Sequence, residues 1–395
     1  MAASPPPTIL FMGRIFEVPW GGVREMADSL LRAAAPLAAA QGRTIEVLVP
    51  RAGMTPIDHP AIVETVLPRF GGYRIPWDHW TVSNYANAQR NAVLYNIKLV
   101  LPERLRIPGF TTLHDLMYFP QPSKYQWREY LLLDSLYMRL MVPRTVRRAP
   151  LTHCVSEYTA NDARELFPSV KPSRFRAIPH GIDADRFAPR EWVGDDYREW
   201  EAMRAKGLRE PYILYTGGLS RRKNVRVLAS AFGQFLKKHP EYTLVVTGGA
   251  KPTIGDPALA RAFNMLPEGK LVRLGAVSSR ALELLYQGAA MYVFPSLYEG
   301  FGFPPLEAQA AGCPVICSNA TSLPEVVEDS ALLFNPRSPA ELLRCMELLT
   351  NEAARQRVIQ EGRRNMMRFD WTETAEAWLA LADEVAARGM RSRKS

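Results

Sequence analysis

Two glutamates, Glu299 and Glu307, bracket the seven residues Gly300-Phe-Gly-Phe-Pro-Pro-Leu306. The glycines suit a loop that lets a ligand approach backbone N–H groups closely. Pro304-Pro305 at the start of a helical run and Gly312 just past its end mark a short helix, with Glu307 expected in its first turn. A helix N-terminus favours an anion, and a carboxylate accepts hydrogen bonds from vicinal hydroxyls. The segment therefore suits a ligand carrying both phosphate and sugar. The plainer alternative makes Glu307 a partner of the helix dipole and Glu299 a solvated loop charge.

A second constellation is Gly217-Gly218-Leu-Ser-Arg221-Arg222-Lys223-Asn224, between a strand and a helix expected from about Asn224 to Lys238. Three cations at a helix start oppose its dipole. A bound diphosphate would reconcile them, with Arg as a fork and Lys as a point charge. Weaker signals lie elsewhere. Gly21-Gly22-Val23-Arg24 reads as a loop after the first strand, and His114-Asp115 and His180-Gly181 end other strands. Each also reads as an ordinary turn or a buried, satisfied histidine. Asp183-Ala-Asp185 has the spacing to hold a divalent metal on a diphosphate, but its setting does not favour that role and no metal is expected. Lys124–Arg148 combines Trp127, Tyr130, leucines and five arginines. It reads either as a basic amphipathic helix for an anionic membrane or as a core-facing helix with a solvated face.

The elements that must hold these residues alternate. In the second half, apolar runs at Tyr212–Thr216, Tyr242–Thr247 (ending at Gly248-Gly249), Leu271–Leu274, Met291–Phe294, Pro314–Cys317 and Ala331–Phe334 are separated mostly by helical segments. In the first half, Ile9–Met12, Thr44–Val49, Phe110–Leu113, Leu151–Val155 and Arg176–Ile178 repeat the theme less regularly, with an Ala-rich helix from about Val23 to Ala40. Such alternation means βαβ units and parallel sheets, which bind ligands beyond the carboxyl ends of their strands. The fold class is α/β, with two facing Rossmann-like doubly wound domains.

The length of 395 residues fits two domains. The expected boundaries are 1–190, a charge- and Trp-rich linker at 191–210, a second domain at 211–370, and a last segment at 371–395. No apolar run is long enough to span a membrane, and the N-terminus lacks a secretory pattern. Cys154, Cys313, Cys317 and Cys345 read as reduced thiols of a cytoplasmic protein. A net charge of +9 without a long Lys/Arg block or a nucleic-acid module points to phosphates or headgroups rather than nucleic acid.

Together these residues resemble the retaining GT-B glycosyltransferases of family 4 (the glycosyltransferase group 1 type). Glu299 and Glu307 match that family's paired-glutamate element, and Arg222-Lys223 its diphosphate site. Tyr298-Glu-Gly-Phe-Gly302 and Ala311-Gly-Cys-Pro-Val-Ile316 match the flanking consensus. Gly21-Gly22, His114-Asp115, Val155-Ser-Glu157 and Pro179-His-Gly-Ile-Asp183 match more loosely in the first half.

The resemblance implies a donor site in the cleft between an acceptor-side domain and a nucleotide-sugar domain. Glu299, His114 and Lys223 would be catalytic. Gly21, Gly22, Gly218, Arg222, Lys223, Gly302, Phe303 and Glu307 would bind the donor, Glu307 through its ribose. Residues 371–395 would be a helix crossing back to the first domain. It implies no cofactor, a nucleoside diphosphate sugar donor (GDP-mannose first, a UDP-hexose as alternative) and a saccharide or lipid-linked saccharide acceptor, which the basic, aromatic Lys124–Arg148 region suggests lies at the inner membrane face. A sugar-nucleotide epimerase and a non-catalytic binding subunit are the other readings. Two departures stand out: Pro304 and Pro305 offer no N–H, and Gly218 stands where some members carry Arg.

Overall fold

The computed structural model describes residues 5–18, 21–68, 74–119, 132–248 and 257–392. The chain divides into two units, one of residues 1–181 with 369–395, the other of residues 182–368. Gly249 and the Lys124–Leu131 part of the basic stretch, including Trp127 and Tyr130, lie outside the described residues.

The first unit holds a seven-stranded parallel sheet of β1 (Thr8–Met12), β2 (Ile45–Val49), β3 (Ile62–Val66), β4 (Ala92–Asn96), β5 (Gly109–Leu113), β6 (Thr152–Cys154) and β7 (Phe175–Ala177), ordered β3-β2-β1-β4-β5-β6-β7. The second holds six parallel strands, β8 (Tyr212–Thr216), β9 (Thr243–Thr247), β10 (Leu271–Gly275), β11 (Met291–Phe294), β12 (Val315–Ser318) and β13 (Leu332–Phe334), ordered β10-β9-β8-β11-β12-β13. Both orders reverse beside the unit's first strand, β1 or β8, which is the doubly wound pattern and the usual place for a ligand. Strands β1, β5, β8, β9 and β11 are buried nearly throughout, so they read as unbroken apolar runs in the sequence.

Two strands have no counterpart among the sequence expectations. β3 is an edge strand, with Val63 and Val66 exposed and none of its residues buried, so no unbroken apolar run marks it. β4 is fully buried, and it follows a polar turn.

Six helices matter below: α1 (Gly22–Ala40), α2 (Leu132–Arg148), α3 (Val225–Phe235), α4 (Ser279–Gly288), α5 (Phe303–Ala310) and α6 (Trp371–Ser392). α6 belongs to the first unit and packs along α1. Its Trp378 is fully buried against Tyr95, Phe11 and Phe110, with ring centroids 5.1, 6.5 and 6.1 Å away. Buried Arg43, just after α1, reaches Asp383 of α6 at 2.6 Å.

The boundary differs from the one expected at residue 190. The chain leaves the first unit at Gly181, and residues 191–210 are part of the second unit rather than a linker. The helix Gly194–Ala205 is the reason: Asp196 accepts from Arg280 at 2.5 Å, and Trp200 lies against Tyr212 of β8. The chain returns at Phe369, and the exit and return touch each other. A side chain at Gly181 would stand 2.3 Å from the Trp371 backbone nitrogen, so only glycine fits there. His180 stacks on Trp371, and Thr374 donates to the Pro179 carbonyl at 2.9 Å.

Candidate functional site

β8 delivers the chain to Gly217-Gly218, and a single 3-10 turn, Arg221–Lys223, follows. Asn224 closes the turn in the left-handed region (φ 52°), which Asn tolerates better than most residues. Its Nδ2 donates to the carbonyls of Pro295 (3.1 Å) and Pro336 (2.8 Å). The Leu297 N–H donates to the Arg222 carbonyl at 2.8 Å, so the turn after β8 is tied to the loop after β11.

That tie brings three predicted residues together. Glu299 Oε1 receives Arg222 Nη1 at 2.9 Å, Lys223 Nζ at 2.7 Å and the Ser296 hydroxyl at 2.5 Å. Arg222 also donates to the Tyr298 carbonyl at 2.7 Å, and Lys223 Nζ sits 4.9 Å from the Phe294 ring centroid. The side chains of Arg222, Lys223 and Glu299 are only 14–16% exposed. Burial alone would push the Glu299 carboxyl up. The Arg222 and Lys223 charges, with the Lys223 and Ser296 hydrogen bonds, outweigh it and hold the group down at about 2.

Two of the three cations thus have a protein counter-charge, a point the sequence alone missed. They also precede α3 in their own turn and do not sit in its first turn. Arg221 is exposed. Gly218 has nothing within 4 Å of where a Cβ would stand, and its carbonyl accepts from Tyr215 at 2.6 Å.

The loop after Glu299 is held from behind by the residues following β12. The Glu299 N–H donates to Thr321 Oγ1 at 3.0 Å, and Ser322 Oγ donates to the Phe301 carbonyl at 2.6 Å and stands 3.0 Å from that of Glu299. Thr321 has φ 54°, a strained state for a β-branched residue that costs on the order of 1–3 kcal/mol. Gly302 caps α5 at φ 128°, where a Cβ would stand 2.7 Å from Leu323. Phe303 opens α5, with Pro304 and Pro305 next.

Glu307 is therefore in the second turn of α5, not the first as expected. It accepts from the Tyr286 hydroxyl at 2.9 Å. Glu299 and Glu307 belong to separate networks, one cationic and one of neutral hydroxyls. Neither arrangement is that of two carboxyls sharing a proton.

Of the remaining predicted residues, Gly21, Gly22 and His114 lie in the first unit and Asp183 at the start of the second. Gly21 caps α1 and Gly22 is its first residue, with nothing within 4 Å of a Cβ at either. His114 follows β5, and its Nε2 meets the Ile97 carbonyl at 2.7 Å. A carbonyl only accepts, so Nε2 carries the proton and Nδ1 keeps its lone pair. Burial lowers the His114 pKa to about 4, so the ring is neutral. Asp183 caps a short helix by accepting from the Arg186 N–H, a structural task for the first aspartate of the D-x-D pattern.

Sequence reasoning missed Ser296, Thr321, Ser322, Thr216, Tyr286 and Tyr292. Ser296, three residues before Glu299, was the one with a readable signal.

The comparisons bear on the family and the fold. The model described as "Glycosyltransferase Family 4" matches residues 20–186, and the model described as "Glycosyl transferases group 1" matches residues 196–365. The chain is 29% identical over 316 residues to O-antigen chain mannosyltransferase B of Escherichia coli, covering 76% of this chain and 77% of that one. Among solved structures, sucrose-phosphate synthase from Thermosynechococcus elongatus superposes with a TM-score of 0.71 at 20% identity, over 97% of this chain and 99% of that one. Anabaena HepE in complex with UDP and glucose gives 0.67 at 17%, over 95% and 99%. With adjoining family matches over both units and a doubly wound sheet in each, the chain belongs to glycosyltransferase family 4 and has the GT-B fold.

Proposed function

We propose that the chain is a retaining, metal-independent hexosyltransferase that moves mannose from GDP-mannose to a saccharide or lipid-linked saccharide. The observation that carries the transfer reading is the convergence of Arg222 and Lys223 on one oxygen of Glu299 at the carboxyl end of β8. Charge grows on a nucleoside diphosphate as it leaves, and fixed cations stabilise that charge without reorganising. A carboxyl with a pKa of about 2 is a poor base and is not an acid near neutrality, so Glu299 acts through charge and hydrogen bonding. Its cations and Ser296 all meet Oε1, and Oε2 is the oxygen that accepts from a hexose hydroxyl in this reading. Glu307 holds the ribose, His114 Nδ1 accepts from the donor sugar, and Gly21, Gly22, Gly218, Gly302 and Phe303 bring backbone close to the donor. The mannose assignment is supported by the name of the Escherichia coli relative.

Incubation with GDP-mannose, UDP-glucose and a UDP-N-acetylhexosamine plus a saccharide acceptor, followed by NMR of the product, tests the reading. The expected product keeps the donor's anomeric configuration and forms equally in EDTA. An epimerised sugar nucleotide, an inverted linkage, or activity lost in EDTA and restored by Mn²⁺ would each overturn a named part. No product from any donor would favour a binding subunit.

Contact with an anionic membrane is part of the same proposal. No described helix is long and apolar enough to cross a bilayer. On α2, Leu133, Leu136 and Leu140 are 78, 52 and 50% exposed, while Met141, Val142 and Val146 face the core. Arg144 and Arg147 continue the leucine face at helical spacing, and Arg139 and Arg148 flank it. Exposed leucines ringed by arginines suit an anionic lipid surface. The protein is expected to sediment with vesicles of phosphatidylcholine and phosphatidylglycerol, less at high salt, and not with phosphatidylcholine alone. Replacing Leu136 and Leu140 by Ser should weaken this at least about tenfold, given ~1.5–3 kcal/mol per buried leucine. Unchanged sedimentation by that variant would remove α2 from the interface.

A further inference from the structure

Behind Glu307 stands a chain of three hydroxyls that the donor reading leaves without a task. The Tyr286 hydroxyl, on α4, meets Glu307 Oε2 at 2.9 Å. Thr216 Oγ1, at the last residue of β8, meets Tyr286 at 3.0 Å and the Tyr292 hydroxyl of β11 at 2.9 Å. Tyr286 and Tyr292 are fully buried and Thr216 nearly so, with the two phenol rings edge to face at 5.3 Å.

The proton arrangement has only one consistent solution. An ionised carboxylate accepts and cannot donate, so Tyr286 donates its single proton to Glu307. Its oxygen then accepts from Thr216, and Thr216 accepts from Tyr292. Three hydroxyl dipoles therefore line up toward one carboxylate oxygen, each strengthening the next in a dry setting.

We propose that Tyr286, backed by Thr216 and Tyr292, is a positioning residue that sets the carboxyl plane of Glu307 and so determines how well the site tells a ribose from a deoxyribose. This rests on the reading of Glu307 as the ribose partner. A carboxylate able to swivel would follow a sugar with one hydroxyl missing. One clamped at Oε2 from a second, third and fourth element cannot, so the missing hydroxyl leaves a mismatch that reads as specificity. The clamp is built from two strands and two helices, α4 and α5, which hold their side chains more tightly than loops do.

The test uses calorimetric affinities of the full chain for GDP, UDP and their 2′-deoxy forms, with donor kinetics alongside. The parent is expected to prefer the ribo form at least about tenfold. In Tyr286→Phe that preference should fall to within about twofold, with KM for the donor raised and kcat within about twofold of the parent. Thr216→Val, which keeps the phenol but cuts its support, should fall between. A ribo preference that survives in Tyr286→Phe and Thr216→Val overturns the positioning role, whatever happens to their melting temperatures. If Tyr286→Phe does not fold, Thr216→Val alone decides. A parent that binds both forms equally would instead overturn the ribose reading of Glu307, and the positioning role with it.

Discussion

Glu299→Ala is expected to cut turnover more than about tenfold while nucleoside diphosphate affinity stays level or tightens. The reason is the double duty of the carboxylate. Oε1 neutralises Arg222 and Lys223, so it competes with a diphosphate for the same two cations. On the proposed reading, removing it frees them for phosphate but also removes the acceptor for a hexose hydroxyl. Lys223→Ala should behave oppositely, losing affinity as well as rate. Equal losses of affinity in the two variants would sink this division of labour.

The stability cost follows from the same geometry. Two largely buried cations without their counter-charge should cost on the order of 2–3 kcal/mol in denaturant unfolding. The linkage has a definite sign. The folded pKa is held at about 2 against an ordinary 4.5, so the unfolded chain binds the proton first. The contribution, about 3 kcal/mol, is complete above pH 4.5 and disappears as pH falls toward 2. In Glu299→Ala that part of the acid dependence should be absent.

The first unit should fail earlier on acidification, through His153. Burial lowers its pKa from 6.5 to about 4. Its Nε2 donates to the Ile178 carbonyl at 2.8 Å, and its Nδ1 meets Thr112 Oγ1 at 2.9 Å, which in turn meets the buried Tyr95 hydroxyl at 2.6 Å. A proton on Nδ1 would force this chain to reverse at a phenol with no exposed surface. Because the folded pKa is depressed, the stabilisation is present above pH 6.5 and is lost as pH falls through 4, on the order of 3 kcal/mol. Burial lowers His114 and His180 in the same direction. Calorimetry is expected to show one transition moving down between pH 6.5 and 4.5 while the other, governed by Glu299, holds until below 4.5. His153→Gln should flatten the first shift. A first transition with the same midpoint at pH 7 and pH 5 would contradict it.

How much of this was readable from the residues depends on what each residue answers to. Strands such as Tyr212–Thr216 and Met291–Phe294 are buried on both faces, so apolarity alone marks their ends. β3 answers to solvent on one side, and its Ile-Val-Glu-Thr-Val run carries no such mark. The pairing of Lys223 with Glu299 joins residues 76 positions apart, and that of Arg222 one more. Each was singled out from local spacing, but the contact depends on how β8 and β11 lie side by side. Thr321 and Tyr286 carry no local signal. One is a strained loop residue and the other an aromatic on the inner face of a helix, and only the fold gives them a partner.

The position of Trp378 also bears on how the protein is made. The core that closes over Phe11, Tyr95 and Phe110 is completed by a side chain more than 250 residues later in the sequence. During synthesis, residues 182–368 form a continuous stretch that has everything its own sheet requires. The first unit, although it begins earlier, must wait with an open apolar seam until α6 has emerged. The second unit is therefore expected to finish folding before the first, the reverse of the usual N-terminal-first order. The unfinished seam between α1 and β5 is the surface a chaperone on the ribosome would meet.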